Sequence, residues 1–330
     1  MTGIRLRMKF SRITWSVLGF TLAGLTLFLG CSTSATPIEP PACAAPHLPR
    51  PDLPEKGISA HRGGQLGCPD NTLGAFKRAI CSGVHQIELD VRATADGKLV
   101  VAHDDRVTDK DGLTLNISES TLTEVKNLQL KPCTEEKEVQ HIPTLEEALF
   151  LMPQNLWINL DIKDNNPLIG RLVAESVAKA GRFSQVIFAA RDKTDWAIRR
   201  VAKEAGEQSW VSNMNRHLFR CLYVDSTISA CDEFIQLYYL LGRPGAGTMN
   251  RLKKAGVRVN YSWLDDQDRE ELQKSLYDLF EQRKVDFVLV DHVAPAMKAA
   301  CSLGIPPIAP RWDGSPRVTC PVSPRCTTAR

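Results

Sequence analysis

From residue 57 onward, short apolar runs alternate with amphipathic ones. The runs at 57–60, 86–91, 99–103, 156–162, 185–190, 208–213, 256–261 and 286–291 have strand length and are rich in Ile, Val and Leu. Helical spacing falls at 70–82, 144–152, 167–180, 194–205, 227–241 and 266–284. In the first of these, Asp70 or Asn71 can cap, Leu73, Phe76 and Ile80 share a face, and Gly83 ends the helix. Strand–helix alternation predicts a parallel α/β sheet, and a span of about 250 residues suits one TIM-type (β/α)8 barrel over 57–305. The polar, irregular stretch 104–142 reads as an insertion after the second strand. A connection that long is more often an active-site element than filler. No internal repeat stands out.

The two ends follow another pattern. Arg5, Arg7, Lys9 and Arg12 precede an uncharged stretch, Ile13 to Gly30, that ends in Leu27-Phe28-Leu29-Gly30-Cys31. That is the three-part form of an export signal, expected over residues 1–30. Gly30-Cys31 resembles a bacterial lipobox, although Phe28 and Leu29 depart from its usual residues. Cys31 is therefore the expected lipidation site of a lipoprotein facing the periplasm or cell surface. A cleaved signal or an uncleaved membrane anchor would export the body equally. Residues 31–56 hold seven prolines and predict an extended tether, and 306–330 predict an irregular tail.

Composition narrows the function class. With 43% hydrophobic and 24% charged residues, the 330-residue chain is neither a disordered polymer nor a disulfide-only miniprotein. Its net charge of +3 resides in the leader, because the remainder carries 37 basic against 38 acidic residues. A balanced body gives no electrostatic argument for a nucleic-acid partner. If Cys31 carries lipid, nine cysteines remain, without a CxxC or a zinc-like spacing. Cys320 with Cys326, and Cys221 with Cys231, are the expected local bridges in an oxidising compartment, against unpaired buried thiols.

The candidate chemistry sits at strand ends. Ser59-Ala60-His61-Arg62-Gly63-Gly64 brings a cation and free backbone N–H groups to the first strand's mouth, chemistry suited to an anionic oxygen. In Gln86-Ile87-Glu88-Leu89-Asp90-Val91, Glu88 and Asp90 share one strand face. Two such carboxylates repel and resist desolvation unless a hard divalent cation, Ca²⁺ or Mg²⁺, joins them. A third run, Leu99–Ala102, terminates in His103. In Trp157–Lys163, the residues Asn159, Asp161 and Lys163 share a face. Asp161 can complete a three-carboxylate metal site and Lys163 can sit on a phosphate. Polar residues at the C-terminal ends of otherwise apolar parallel strands occupy the position that barrel enzymes use for catalysis.

Taken in order, His61-Arg62-Gly63, Pro69-Asp70-Asn71-Thr72, Glu88-Leu89-Asp90, Asp96-Gly97, His103-Asp104, Ile142–Glu147 and Asn159–Lys163 resemble the glycerophosphodiester phosphodiesterase family over about 105 residues. The resemblance implies a metal-dependent barrel hydrolase that cleaves glycerophosphodiesters to sn-glycerol 3-phosphate and an alcohol. It implies Glu88, Asp90 and Asp161 as metal ligands, His61 and His103 as the acid/base pair, and Arg62 with Lys163 on the phosphate. Three features depart from the pattern. Asp stands at 70 and 161 where the family usually has Glu. Tyr261-Ser262-Trp263-Leu264 does not reproduce a late Trp-Thr-Val-Asn stretch. A closing Thr-Asp-x-Pro survives only as Val290-Asp291-His292 with Pro295 beyond.

Two other readings compete. A phospholipase of the sphingomyelinase D or phosphatidylinositol phospholipase C type would use the same barrel on intact lipids, and a surface lipoprotein would use it only to bind. Gly242–Gly247 is no nucleotide loop, since Pro244 interrupts it and no Lys-Ser/Thr follows, and neither GxSxG nor HExxH occurs.

Overall fold

The computed structural model describes residues 52–207, 209–213, 234–238, 245–254, 256–263, 269–321 and 325–326. The predicted export signal, Cys31, and the Cys221–Cys231 pair lie outside them. None of the described helices is long and apolar enough to cross a membrane.

Thirteen strands are described. Eight belong to one parallel path: β1 (Gly57–Ala60), β2 (Gln86–Ala93), β8 (Trp157–Ile162), β9 (Val186–Ala190), β10 (Trp210–Asn213), β11 (Phe234–Tyr238), β12 (Arg258–Ser262) and β13 (Phe287–Val290). They pair in the order β10-β9-β8-β2-β1-β13-β12-β11, and the two ends, β10 and β11, approach within 8 Å between Cα atoms. Chain order winding around both sides of β1 and returning to adjacent ends is that of a TIM-type barrel. The helices between the strands are α1 (Leu73–Cys81), α3 (Leu145–Leu151), α4 (Pro167–Lys179), α5 (Asp192–Glu204), α6 (Ala246–Lys254), α7 (Arg269–Tyr277) and α8 (Val293–Ser302). Buried Phe76 and Ile80 of α1 join Ile58, Ile87, Leu89, Leu160 and Val288 in the shell between strands and helices.

Four sequence expectations change. The run 99–103 supplies only β3 (Leu99–Val101), which folds back antiparallel on β2, Val91 opposite Val101, and is no barrel strand. Thr94 and Gly97 close that hairpin, since Thr94 accepts from Lys98 N–H and Gly97 has φ 71°. The predicted helix 227–241 contains β11 instead, whose Phe234–Tyr238 pairs in register with Arg258–Ser262 of β12. Phe, Ile and Tyr favour a pleated ladder, and that local preference outweighs the helical spacing. The first helix is capped by Thr72, whose Oγ1 accepts from Ala75 N–H at 3.2 Å, rather than by Asp70 or Asn71. Cys320 bonds Cys81, and Cys326 bonds Cys301, so the expected Cys320–Cys326 pair does not form. The tail returns to the end of α1, where Ile308 N–H donates to Gly83 O, and this brings Cys81 rather than Cys326 to Cys320.

The insertion after the second barrel strand is a small layer of its own. It comprises the hairpin β4 (Arg106–Thr108) with β5 (Thr114–Asn116), α2 (Leu122–Asn127), and the pair β6 (Leu130–Pro132) with β7 (Val139–Gln140). Val100, Ile117, Val125, Leu128 and Ile142 form its apolar core. Disulfide Cys68–Cys133 staples this layer to the loop between β1 and α1.

At the opposite end of the barrel, Leu53 packs with Trp157, Ile187 and Phe287, and Trp157 Nε1 donates to Pro54 O. The tail from 306 to 313 follows the surface, with Arg311 N–H donating to Asn155 and Trp312 Nε1 to Leu151 O. His85 joins tail to barrel. Its Nδ1 accepts from Ile58 N–H at 3.1 Å, and its Nε2–H donates to Pro306 O at 2.9 Å. The side chain packs against Gly57, where an added Cβ would stand 2.1 Å from His85 Cγ.

Burial pushes the His85 imidazole down to about 4. Because the folded state resists the proton that the unfolded chain accepts near 6.5, stability contributed by this site is complete above pH 6.5 and is lost as pH falls towards 4. The loss amounts to about 3 kcal/mol. Asn at 85 keeps an acceptor near the Nδ1 position but does not titrate. Urea unfolding midpoints measured from pH 7 to pH 4 should therefore fall more steeply for the wild type than for His85→Asn, and parallel curves would contradict the assignment.

Candidate active site

The barrel's C-terminal mouth is assembled from β1, β2, β8 and β13. After Ala60 the chain makes one tight turn, His61–Gly63, and Arg62, Gly63 and the capping Gly64 all take positive φ (52°, 89° and 76°). This curl turns the Arg62 N–H onto Glu88 Oε2 at 3.0 Å. Gly64 is a steric requirement, since a Cβ there would meet Val293 Cγ2 at 2.3 Å.

Strands β2 and β8 pair with Glu88 opposite Asn159 and Asp90 opposite Asp161. Alternation along each strand therefore places Glu88, Asp90 and Asp161 on one inward face. Carboxylate oxygens from all three lie within 4.8 Å of one another, with Glu88 and Asp90 buried and Asp161 partly so. Lys163 Nζ stands 2.7 Å from both Asp90 Oδ1 and Asp161 Oδ2. Its directional hydrogen bond goes to Asp161, while Asp90 Oδ1 is an ion-pair neighbour without hydrogen-bond geometry. Arg62 completes the group, with Nε 3.4 Å from Asp90 Oδ2 and Nη1 3.8 Å from Asp70 Oδ2.

Electrostatics shows what the cluster requires. Burial, then the charges of Asp90 and Asp161, push Glu88 well above the ordinary carboxylate range. Burial also opposes ionisation of Asp90, but Lys163, the Asn71 hydrogen bond and Arg62 outweigh it and hold Asp90 below that range. Burial works against the charged form of Lys163 too, and its two Asp partners reverse the direction and raise it. Asp70 is raised, chiefly by burial, despite Arg62 and His61 nearby. Four carboxylates thus share two cations. A divalent ion with oxygen ligands would remove the surplus negative charge and the penalty on Glu88, so Glu88, Asp90 and Asp161 fit such an ion.

Two residues matter here that the sequence did not single out for the site. Asn71, at φ 59°, grips Asp90 twice, with Nδ2–H donating to Oδ2 at 2.7 Å and Oδ1 accepting from the Asp90 N–H at 3.2 Å. Its own N–H donates to Arg62 O, which ties the two loops together. The Pro69–Thr72 motif carried this signal, because Asn tolerates the left-handed region better than most residues. Asp291 Oδ1 lies 2.6 Å from His61 Nδ1. Ala60 pairs with Val290, so the residues that follow β1 and β13 emerge side by side. An acid directly after the last strand was the available signal.

Direct contacts therefore join Arg62, Asp90, Asp161 and Lys163, with Glu88 on the Arg62 N–H, Asn71 on Asp90 and Asp70 beside Arg62, while His61 is held by Asp291. His103 stands at the rim. Its carbonyl accepts from Arg92 Nε at 2.8 Å, the preceding Ala102 N–H donates to Asp90 O, and its ring pairs with Asp104 at 2.9 Å. Tyr261 and Trp263 are packed into the core.

A TIM-type barrel with a carboxylate cluster, two cations and a carboxylate-bound histidine at its mouth defines a class of α/β-barrel proteins built for an anionic ligand and a hard metal. Within that class, the chain belongs to the glycerophosphoryl diester phosphodiesterase family, whose sequence profile matches residues 61–294. It is 41% identical over 111 residues to a glycerophosphodiester phosphodiesterase of Caldanaerobacter subterraneus subsp. tengcongensis, covering 32% of this chain and 44% of that one. It is 34% identical over 135 residues to Lysophospholipase D GDPD1 of Homo sapiens, covering 37% and 41%. The matched region thus spans less than half the length of these relatives. Among solved structures, a putative glycerophosphoryl diester phosphodiesterase from Silicibacter pomeroyi DSS-3 superposes with a TM-score of 0.62 at 18% identity, covering 78% of this chain and 96% of that one. A glycerophosphodiester phosphodiesterase from Agrobacterium tumefaciens str. C58 gives 0.59 at 22%, covering 74% and 99%. These two likenesses establish the fold.

Asn71→Gly keeps the left-handed backbone and deletes the grip on Asp90. Residues that orient a ligand contribute about 10- to 100-fold in metal affinity. Calorimetric titration with Mn²⁺ should show at least a tenfold weaker affinity in this variant, and unchanged affinity would remove Asn71 from the site.

Proposed function

We propose that the protein is a metal-dependent hydrolase that cleaves glycerophosphodiesters to sn-glycerol 3-phosphate and an alcohol. The convergence of Glu88, Asp90 and Asp161 with Lys163 and Arg62 at the mouth of a barrel of this family carries the reading. A phosphodiester is a stable monoanion, and its cleavage needs neutralised non-bridging oxygens, an activated nucleophile and a protonated leaving group.

When bound, Ca²⁺ or Mg²⁺ would be held by Glu88, Asp90 and Asp161 and would supply Lewis-acid neutralisation of phosphate charge. The chain's own residues do the rest. Arg62 and Lys163 bind the remaining phosphate oxygens, and the ion pairs with Asp90 and Asp161 hold Lys163 in place for that role. Asp291 holds Nδ1–H of His61, which leaves Nε2 as the basic nitrogen. His61 accepts the proton of the attacking hydroxyl as its oxygen bonds to phosphorus, and His103 at the rim gives a proton to the departing alcohol oxygen as its P–O bond breaks. Attack by water gives sn-glycerol 3-phosphate directly, and attack by the glycerol 2-hydroxyl gives a cyclic phosphate that a water then opens at the 2-oxygen.

We also infer that the protein is exported and tethered through a lipid on Cys31. The basic and then uncharged residues 1–30 support this reading, as do three disulfides of a kind that persist in oxidising compartments. The membrane is then reached through the lipid.

Positioned acid–base groups are worth about 10²- to 10⁴-fold. His61→Ala and His103→Ala should each lower kcat on glycerophosphocholine by at least 100-fold while the circular dichroism and melting curves remain those of a folded barrel. EDTA should inactivate the wild type, and Ca²⁺ or Mg²⁺ should restore it. Near-wild-type turnover by both variants, or full activity after rigorous metal removal, would sink the proposal. Asp291→Asn keeps the shape but loses the charge that fixes the imidazole. It should lower kcat by about 100-fold with KM little changed, and an effect confined to KM would argue against the His61–Asp291 pair as a catalytic unit.

A further inference from the structure

A cavity of about 360 Å³ opens between the insertion and the start of α4, at the C-terminal ends of β2 and β8. Its position is set by the same strands that build the site. Arg92 lies two residues beyond Asp90 on β2, Asp164 directly follows Lys163, and Asp105 lies two residues beyond His103. The cavity therefore opens at the same end of β2 and β8 as the carboxylate cluster, and its wall meets His103 where Arg92 Nε donates to the His103 carbonyl.

Several polar groups of the wall are engaged, while the Arg92 Nη groups, Asn166 Nδ2 and the Asp164 carboxylate line the cavity without a hydrogen bond or ion pair among the described residues. Arg92 Nε is engaged with His103 O. Both oxygens of Asp105 accept from Ser118, one from its N–H at 2.8 Å and one from its hydroxyl at 2.7 Å. Asn166 Oδ1 caps α4 by accepting from Leu168 N–H. Asp164, half-buried, has neither a hydrogen bond nor an ion pair among the described residues. It lies two residues beyond the end of β8, and it lines a cavity large enough for a small organic group.

Resting on the phosphodiesterase reading above, we propose that this cavity is the subsite for the leaving alcohol and that Asp164 selects small alcohols carrying N–H or O–H donors, a primary ammonium above all. A carboxylate with open acceptor positions rewards a charged donor more than a neutral one. A quaternary ammonium has no N–H to give and is best recognised on aromatic faces, none of which lines the cavity among the described residues. An alkyl chain would strip water from Arg92, Asp105 and Asp164 without replacing their hydrogen bonds. Glycerophosphoethanolamine therefore fits the site better than glycerophosphocholine, and both fit better than a lysophospholipid.

The test is kcat/KM on glycerophosphoethanolamine, glycerophosphocholine, glycerophosphoglycerol and lysophosphatidylethanolamine, with the full chain at saturating Ca²⁺ or Mg²⁺. The wild type should prefer the ethanolamine diester to the choline diester by about tenfold, equivalent to about 1.4 kcal/mol, and should turn over the lysophospholipid slowest. Asp164→Asn should abolish the ethanolamine preference, with the loss on glycerophosphoethanolamine at least fivefold greater than the loss on glycerophosphoglycerol. Asp164→Glu, which restores the charge, should recover most of that preference. An unchanged preference in Asp164→Asn, or equal loss on all substrates, would overturn the subsite while leaving the phosphodiesterase reading intact. Failure of the wild type to hydrolyse any glycerophosphodiester would overturn both.

Discussion

Three carboxylates with oxygens inside 4.8 Å of one another, two of them removed from water, form the constraint around which this barrel mouth is organised. Left alone they repel, and Glu88 is driven towards its neutral form. The chain offsets part of that charge with Lys163 placed between Asp90 and Asp161, part with Arg62, and part with hydrogen bonds from Asn71 and the Arg62 backbone. What remains is a surplus of negative charge shaped for a hard cation, with two basic side chains poised beside it for an anionic substrate.

The scaffold serves that constraint in detail. The parallel register of β2 with β8 sets Asp90 beside Asp161, and the pairing of β1 with β13 delivers His61 to Asp291. The left-handed residues Arg62 and Asn71 turn their peptide groups into the site, a local cost that the surrounding hydrogen bonds offset. Farther out, disulfide Cys68–Cys133 ties the loop that carries Asp70 and Asn71 to the insertion that follows His103. Both flanks of the site are thereby held to one another and to the barrel.

Much of this was legible in the sequence because parallel strands are apolar and their chemistry stands out against that background. Glu88 and Asp90, then Asp161 and Lys163, interrupt apolar runs at spacing two, and that alone places them on a common face. The insertion announced itself by its polarity and length. Partners set by distant chain were not legible. Asp291 meets His61 across 230 residues, Asn71 looked like a helix cap, and Cys81 finds Cys320 only because the tail returns to α1. The run at 99–103 was misread as a barrel strand because periodicity does not distinguish parallel from antiparallel pairing, and 234–238 because a short apolar run fits helix and strand alike. The helix at 293–302 escaped notice beside the proline at 295.

The most direct test of the central claim is the position of the metal. Crystals soaked in Mn²⁺ and measured near the manganese absorption edge should show one strong anomalous peak among Glu88, Asp90 and Asp161, with Asn71 still on Asp90 and Asp291 still on His61. A principal peak elsewhere in the molecule, or none at this cluster under conditions where Mn²⁺ supports hydrolysis, would contradict the account.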